Sequence, residues 1–209
     1  FRPFETALDR DAALAHLRAA TDGADDGELF LERRRAETLS FDDGQLKTAS
    51  YTTSQGFGLR AVRGMATGYA HASEVSDAAL GRAVDTVRLA VGDGGGVMAP
   101  GPRPTNVRLY GDFNPIDDAA FPVKIETLRD IDAFARDLDP RVVQVTATIG
   151  ASVQEVEIMR PEGTLVRDVR PMVRVNVSVM VEQDGRRESG SSGGGGLGDP
   201  KQRDRDAVA

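Results

Sequence analysis

The stretch PMVRVNVSVMVEQDGRRE, residues 171–188, alternates without a break: Val173, Val175, Val177, Val179 and Val181 hold one set of positions, and Arg174, Asn176, Ser178 and Met180 the other. Successive strand side chains point to opposite faces, so this spacing predicts a strand with one apolar and one wet face. Asp184-Gly185 supplies the residues that a tight reversal needs. The same period begins earlier, with Val143, Val145, Ala147 and Ile149 on one face. Turn residues at Pro161-Glu162-Gly163 and near Arg170-Pro171 divide the region into a long antiparallel meander from 141 to 188.

The first half has the same texture. ELFLERRRAETLSF (28–41) is followed by DDG (42–44) and QLKTASYTT (45–53), and an Asp-Gly between two strand-like runs is a hairpin signal. QGFGLRAVRG, a turn at Arg63-Gly64 and MATGYAHAS extend the pattern to about four strands. Three helices interrupt the strands. One covers 7–21, with Leu8, Leu14 and Leu17 at helical spacing and a stop at Gly23. Another follows an N-cap at Ser76 and carries Leu80, Val84, Val87 and Val91. The third starts near Phe121 with Pro122 in its first turn, carries Ile125, Leu128, Ile131, Phe134 and Leu138, and ends before Pro140. The fold class read from this order is α+β: antiparallel meander sheets with about three helices packed on one face.

GDGGGVMAPGPRP (92–104) is too rich in glycine and proline for a helix or central strand and reads as a loop. SGSSGGGG (189–196) reads as a flexible joint. The chain opens at Phe1 without an initiator methionine and closes on KQRDRDAVA, as an excerpt of a longer polypeptide would. The expected organisation is therefore a domain over 1–188, the joint at 189–196, and a tail at 197–209 that begins a further, catalytic domain.

Composition excludes some classes. The 26 Lys and Arg against 33 Asp and Glu give a net charge of -7, which argues against direct binding of nucleic acid because coating phosphates needs clustered excess cations. The Arg33, Arg34, Arg35 run is too short to reverse this and reads as a solvated strand face. The absence of cysteine removes disulfides and thiolate metal sites and fits a reducing compartment. No apolar run reaches the ~18 residues of a membrane span, so no membrane association is expected and the cytoplasm is the expected location.

Catalytic motifs are missing. His16 and His71 are the only imidazoles, with no HExxH around them, and each reads as structural. There is no GxSxG elbow to nominate a serine, and a hydrolase built on His71 and nearby acids has no motif behind it. Gly56-x-Gly58 lacks the third glycine of a dinucleotide loop and reads as a strand bend. The glycine clusters at 94–96 and 193–196 lack the GK[ST] of a phosphate cradle. The pairs Asp42-Asp43 and Asp117-Asp118 carry little information in so acidic a chain. What remains is the polar strand face of Arg174, Asn176 and Ser178, beside backbone able to hydrogen-bond an extended peptide.

Taken in order, GELFLERRRAETLSFDDGQLKTASYTTSQGFGLRAVRGMATGYAHASEVSDAAL, RLYGDFNP, IDAFARDLDPRVVQVTATI and RDVRPMVRVNVSVMVEQDGRRESGSSGGGG closely resemble the N-terminal domain of TldD-like metalloproteases of the TldD/PmbA family, formerly "modulator of DNA gyrase". The resemblance spans about Gly27 to Gly196. It implies a cytoplasmic zinc metalloprotease that works as a heterodimer with a TldE/PmbA subunit on unfolded or modified peptides. In that family an HExxxH helix and a later cysteine, in a C-terminal domain, supply the zinc site. This chain has no counterpart of either, so the resemblance assigns it no catalytic, cofactor-binding or metal residue. It implies a non-catalytic domain for the substrate cleft and subunit association, with zinc held elsewhere in the parent protein. A truncated, free-standing binding or regulatory domain is the alternative.

Overall fold

The computed structural model describes residues 1–92 and 113–196. Their elements are α1 (Pro3–Thr6), α2 (Arg10–Ala20), β1 (Asp26–Asp42), β2 (Gln45–Arg63), β3 (Ala66–Ala72), α3 (Asp77–Val91), α4 (Phe121–Leu138), β4 (Val142–Met159), β5 (Leu165–Gln183) and β6 (Arg186–Gly196). The class is α+β, with six strands in the order β3-β2-β1-β4-β5-β6. The non-sequential neighbours β1 and β4 make the sheet more than a meander.

Local chemistry explains the boundaries. The Asp9 side chain accepts the Ala12 N–H at 2.8 Å and opens α2, and Ser76 does the same for Ala79 at the start of α3. Both Asp-Gly pairs turn as a two-residue hairpin demands, with positive φ at Asp43 (52°) and Gly44 (74°), and at Asp184 (53°) and Gly185 (76°). They join β1 to β2 and β5 to β6.

Four expectations are corrected. QLKTASYTT and QGFGLRAVRG form one strand, β2, so the first half holds three strands. Gly56 and Gly58 lie within it, where a Cβ would stand 2.5 Å from the Ala72 carbonyl and 2.7 Å from the Tyr69 hydroxyl; they are sites of close approach. No turn forms at Arg170-Pro171. Pro171 sits inside β5, two residues before the stretch paired with β6 begins at Val173, so its missing N–H falls outside that register. Finally, SGSSGGGG is the body of β6, each residue from 189 to 196 paired with β5, where a flexible joint was expected. The loop from 93 onward and the tail at 197–209 lie outside the described residues.

The chain divides into two interleaved units. Among the described residues the first draws on 1–34, 54–92 and 154–169, and the second on 35–53, 113–153 and 170–196. In the first, Ala13, Leu17 and Ala20 of α2 and Leu80, Val84, Val87 and Val91 of α3 pack with Leu29, Leu31, Leu59 and Met159 from the strands. Each fully buried aliphatic side chain there stabilises the fold by about 1.5–3 kcal/mol relative to an exposed one. In the second, Ile125 and Leu128 of α4 cover Leu39, Phe41 and Ala147. The stripe read for α4 is shorter than its sequence suggests: Phe134 is 46% exposed and Leu138 69%. Lys124 takes a core position beside Ile125, its Nζ held by Glu37 and the Ile116 carbonyl.

Candidate functional site

The period of two that defines β4 and β5 sorts the second unit into two faces. Leu39, Phe41, Val145, Ala147, Val173 and Val177 turn toward α4 or away from solvent, which leaves Gln144, Thr146, Thr148, Arg174, Asn176 and Ser178 on the opposite face. The structure therefore brings together all three strand residues singled out above. Thr146, Thr148, Arg174, Asn176, Ser178, Ser191 and Gly193 line an open trough of about 300 Å³.

The register shows why the trough exists. Arg174 pairs with Gly195, Asn176 with Gly193 and Ser178 with Ser191, and paired residues share a face. Glycine opposite arginine and asparagine thins the outer side of the trough, where β6 contributes Ser191 and Ser192. A Cβ on Gly193 would stand 2.5 Å from Asn176 Oδ1, so the amide lies directly over the glycine backbone.

Hydrogen bonds order the floor. Arg174 Nε donates to Asn176 Oδ1 at 2.9 Å, which leaves its terminal nitrogens to meet an acceptor from outside, and Ser178 Oγ donates to the Gly190 carbonyl at 3.4 Å. Toward β1, Gln144 Nε2 and Thr146 Oγ1 both donate to Asp42 Oδ1 at 2.9 Å. These two hydrogen bonds hold the Asp42 carboxyl below its ordinary range. Local sequence marks Asp42 only as a turn residue; its place on the polar face follows from β1 adjoining β4, a pairing that no local pattern announces.

The chemistry available is that of binding: one guanidinium, one carboxylate, an amide and hydroxyls, all suited to peptide groups. The two histidines are engaged elsewhere. His16 Nε2 lies 3.0 Å from Asp77 Oδ1 between α2 and α3, and His71 on β3 stacks its ring 5.8 Å from that of Tyr69. Among the described residues no cluster of three or more His, Cys, Asp or Glu is arranged to hold a metal ion. The donor set here does not fit a catalytic metal. The arginine run is largely neutralised by carboxylates: Arg33 pairs with Glu155 at 2.8 Å and Arg35 with Asp117 at 2.7 Å. No helix among the described residues is long and apolar enough to cross a membrane.

Two models of one family match the chain, PmbA/TldA metallopeptidase domain 1 over residues 27–91 and the PmbA/TldA metallopeptidase central domain over 114–209. A metalloprotease TldD homolog of Haemophilus influenzae is 36% identical over 175 residues, covering 82% of this chain and 36% of the relative. The homolog from Buchnera aphidicola subsp. Schizaphis graminum is 34% identical over 176 residues, again 36% of its own length. The chain thus spans little more than a third of these curated relatives. Among solved structures, a Thermotoga maritima protein superposes with a TM-score of 0.72 at 15% identity, over 92% of this chain and 44% of that one. TldE from Thermococcus kodakarensis gives 0.68 at 16% identity, over 88% and 42%. These likenesses show a shared fold.

Proposed function

The chain belongs to the PmbA/TldD metallopeptidase family, and on that premise we propose that it is the non-catalytic N-terminal part of a TldD-like zinc metalloprotease that cleaves unfolded or modified peptides. The zinc and its ligands belong to the rest of the parent protein, which acts in the cytoplasm as a heterodimer with a TldE/PmbA-type subunit. When bound there, zinc supplies a Lewis acid and an activated water. This chain contributes part of the peptide cleft and of the subunit contacts. It makes no direct contact with nucleic acid or membrane.

The observation that carries the binding role is the polar trough, with Arg174, Asn176 and Ser178 aligned along one strand face. An extended peptide laid along it meets alternating donors and acceptors at the spacing of its own backbone. Arg174 would take a carbonyl or carboxylate of the peptide, and Asn176 and Ser178 its amide groups.

The test is kinetic. The full-length parent protein, supplied with zinc and its partner subunit, is expected to cleave an unstructured peptide. Arg174→Ala should raise KM about tenfold with kcat unchanged, the signature of lost uniform binding. No cleavage by the intact assembly would overturn the enzymatic reading; a KM unmoved by Arg174→Ala would remove the trough from the cleft.

A further inference from the structure

In this acidic chain, strand arginines are matched by carboxylates: Arg33 by Glu155, Arg60 by Asp26 and Glu28, Arg187 by Glu182. Arg174 is different. Among the described residues it forms no ion pair, and its Nε donates to a neutral acceptor, Asn176 Oδ1. Carboxylates of the same face are already engaged. The period of two along β5 places Glu182 on the face of Arg174, and Glu182 is held by Arg187 at 2.7 Å. Asp42 accepts from Gln144 and Thr146. The Arg174 charge is therefore left without an anion of its own.

Its surroundings add donors. Two hydroxyls of the trough are committed, Thr146 to Asp42 and Ser178 to the Gly190 carbonyl. Thr148 and Ser191 also line the trough, and among the described residues their hydroxyls have no hydrogen-bond partner, so each keeps an O–H to donate. Gly195, opposite Arg174, brings no side chain to compete for the guanidinium. Uncommitted terminal guanidinium nitrogens beside free hydroxyls complement a planar oxyanion. A carboxylate can take two parallel N–H bonds from such a fork, and charge-assisted bonds of this kind are roughly twice as strong as those to a neutral carbonyl. An ammonium or a second guanidinium is repelled at the same place.

We propose that the trough selects peptides by charge: Arg174 binds a carboxylate of the peptide, from an acidic side chain or the C-terminus, with Thr148 and Ser191 donating beside it. An acidic group at this point raises affinity and a basic one lowers it. This specificity deepens the peptide-cleft reading of the same trough and rests on it.

The test is equilibrium binding, read by fluorescence anisotropy, to the full-length parent protein with its partner subunit, kept free of zinc by a chelator so that nothing is cleaved. Four labelled, unstructured peptides differ only in charge: a central Glu, Gln or Lys with an amidated C-terminus, and the Gln peptide with a free C-terminus. At least one of the two carboxylate peptides should bind about tenfold more tightly than the amidated Gln peptide, and the one that does names the source of the carboxylate. The Lys peptide should bind most weakly. Added salt should shrink these differences. Arg174→Glu should reverse the order, and Arg174→Lys should keep part of it, because the charge survives and the fork is lost. Equal binding of all four peptides to the unaltered protein would overturn charge selection and leave a neutral peptide cleft standing. A carboxylate preference that survives Arg174→Glu would overturn Arg174 as its origin, and no binding of any peptide would overturn the cleft and its specificity together.

Discussion

Asn176 and Gly193 face each other across β5 and β6, and the asparagine amide occupies the space that any side chain at 193 would need. Gly193→Ala therefore forces Asn176 aside and breaks its hydrogen bond with Arg174. A loss of about 1–3 kcal/mol in urea unfolding is expected, as for other overpacked sites. The double variant with Asn176→Ala should recover most of that loss, because contacting residues are energetically coupled. Additive losses would show that the crowding lies elsewhere.

Lys124 and Glu37 form an ion pair whose side chains are only 8% and 12% exposed. Removing one partner strands the other charge, so Glu37→Ala should destabilise the protein by about 3–5 kcal/mol. Lys124→Met combined with Glu37→Leu should cost far less, since an apolar pair of similar volume needs no compensation. Denaturant midpoints of the three variants decide between this account and a surface-like pair worth under about 1 kcal/mol.

Asp139, just after α4, accepts hydrogen bonds from the Arg141 guanidinium and from the Arg141 backbone N–H at 2.9 Å, and its pKa is lowered from 3.8 to about 2. A carboxyl with a depressed folded-state pKa adds stability above its unfolded value, here 3.8, and that contribution is lost as pH falls through about 2. Carboxyl-selective NMR titration should show this midpoint near 2, and Arg141→Ala should return it toward 3.8. A midpoint insensitive to Arg141 would refute the assignment.

Gly68 on β3 lies beneath α3. A Cβ there would stand 2.6 Å from the Val87 carbonyl and 3.0–3.1 Å from the Val91 and Val87 side chains. Gly68→Ala should push the helix from the sheet and lower stability by about 1–3 kcal/mol. An unfolding midpoint within error of the parent would mean that the helix yields freely.

Much of this was legible in local sequence because it rests on local physics. Ser76, the two Asp-Gly hairpins and the valine alternation of β5 each act within a few residues, and the structure has them as read. Arg174, Asn176 and Ser178 share a face for the same reason. What the sequence hid depends on partners remote in the chain. Gly56 and Gly58 look only like a strand bend until β3 is laid beside them, and SGSSGGGG looks like a joint until β5 is found paired along its whole length. Asp42 joins the polar face through Gln144 and Thr146, 102 and 104 positions away. Lys124 interrupts an apolar stripe, and only its distant partner Glu37 explains how a lysine is held there.

The adjacency of β1 and β4 also sets a clock. At synthesis rates of about 5–20 residues per second, the ~100 residues that separate Asp42 from its hydrogen-bond partners on β4 take roughly 5–20 s to emerge from a ribosome. Hairpins close within about 1–10 μs, so β1, β2 and β3 are free to pair long before β4 exists. During that interval the inner edge of β1 has no strand to meet, and the nascent chain carries an open template into a crowded cell. Slowing translation between residues 42 and 142 should therefore lower the soluble yield, whereas slowing it after Gln183 should not.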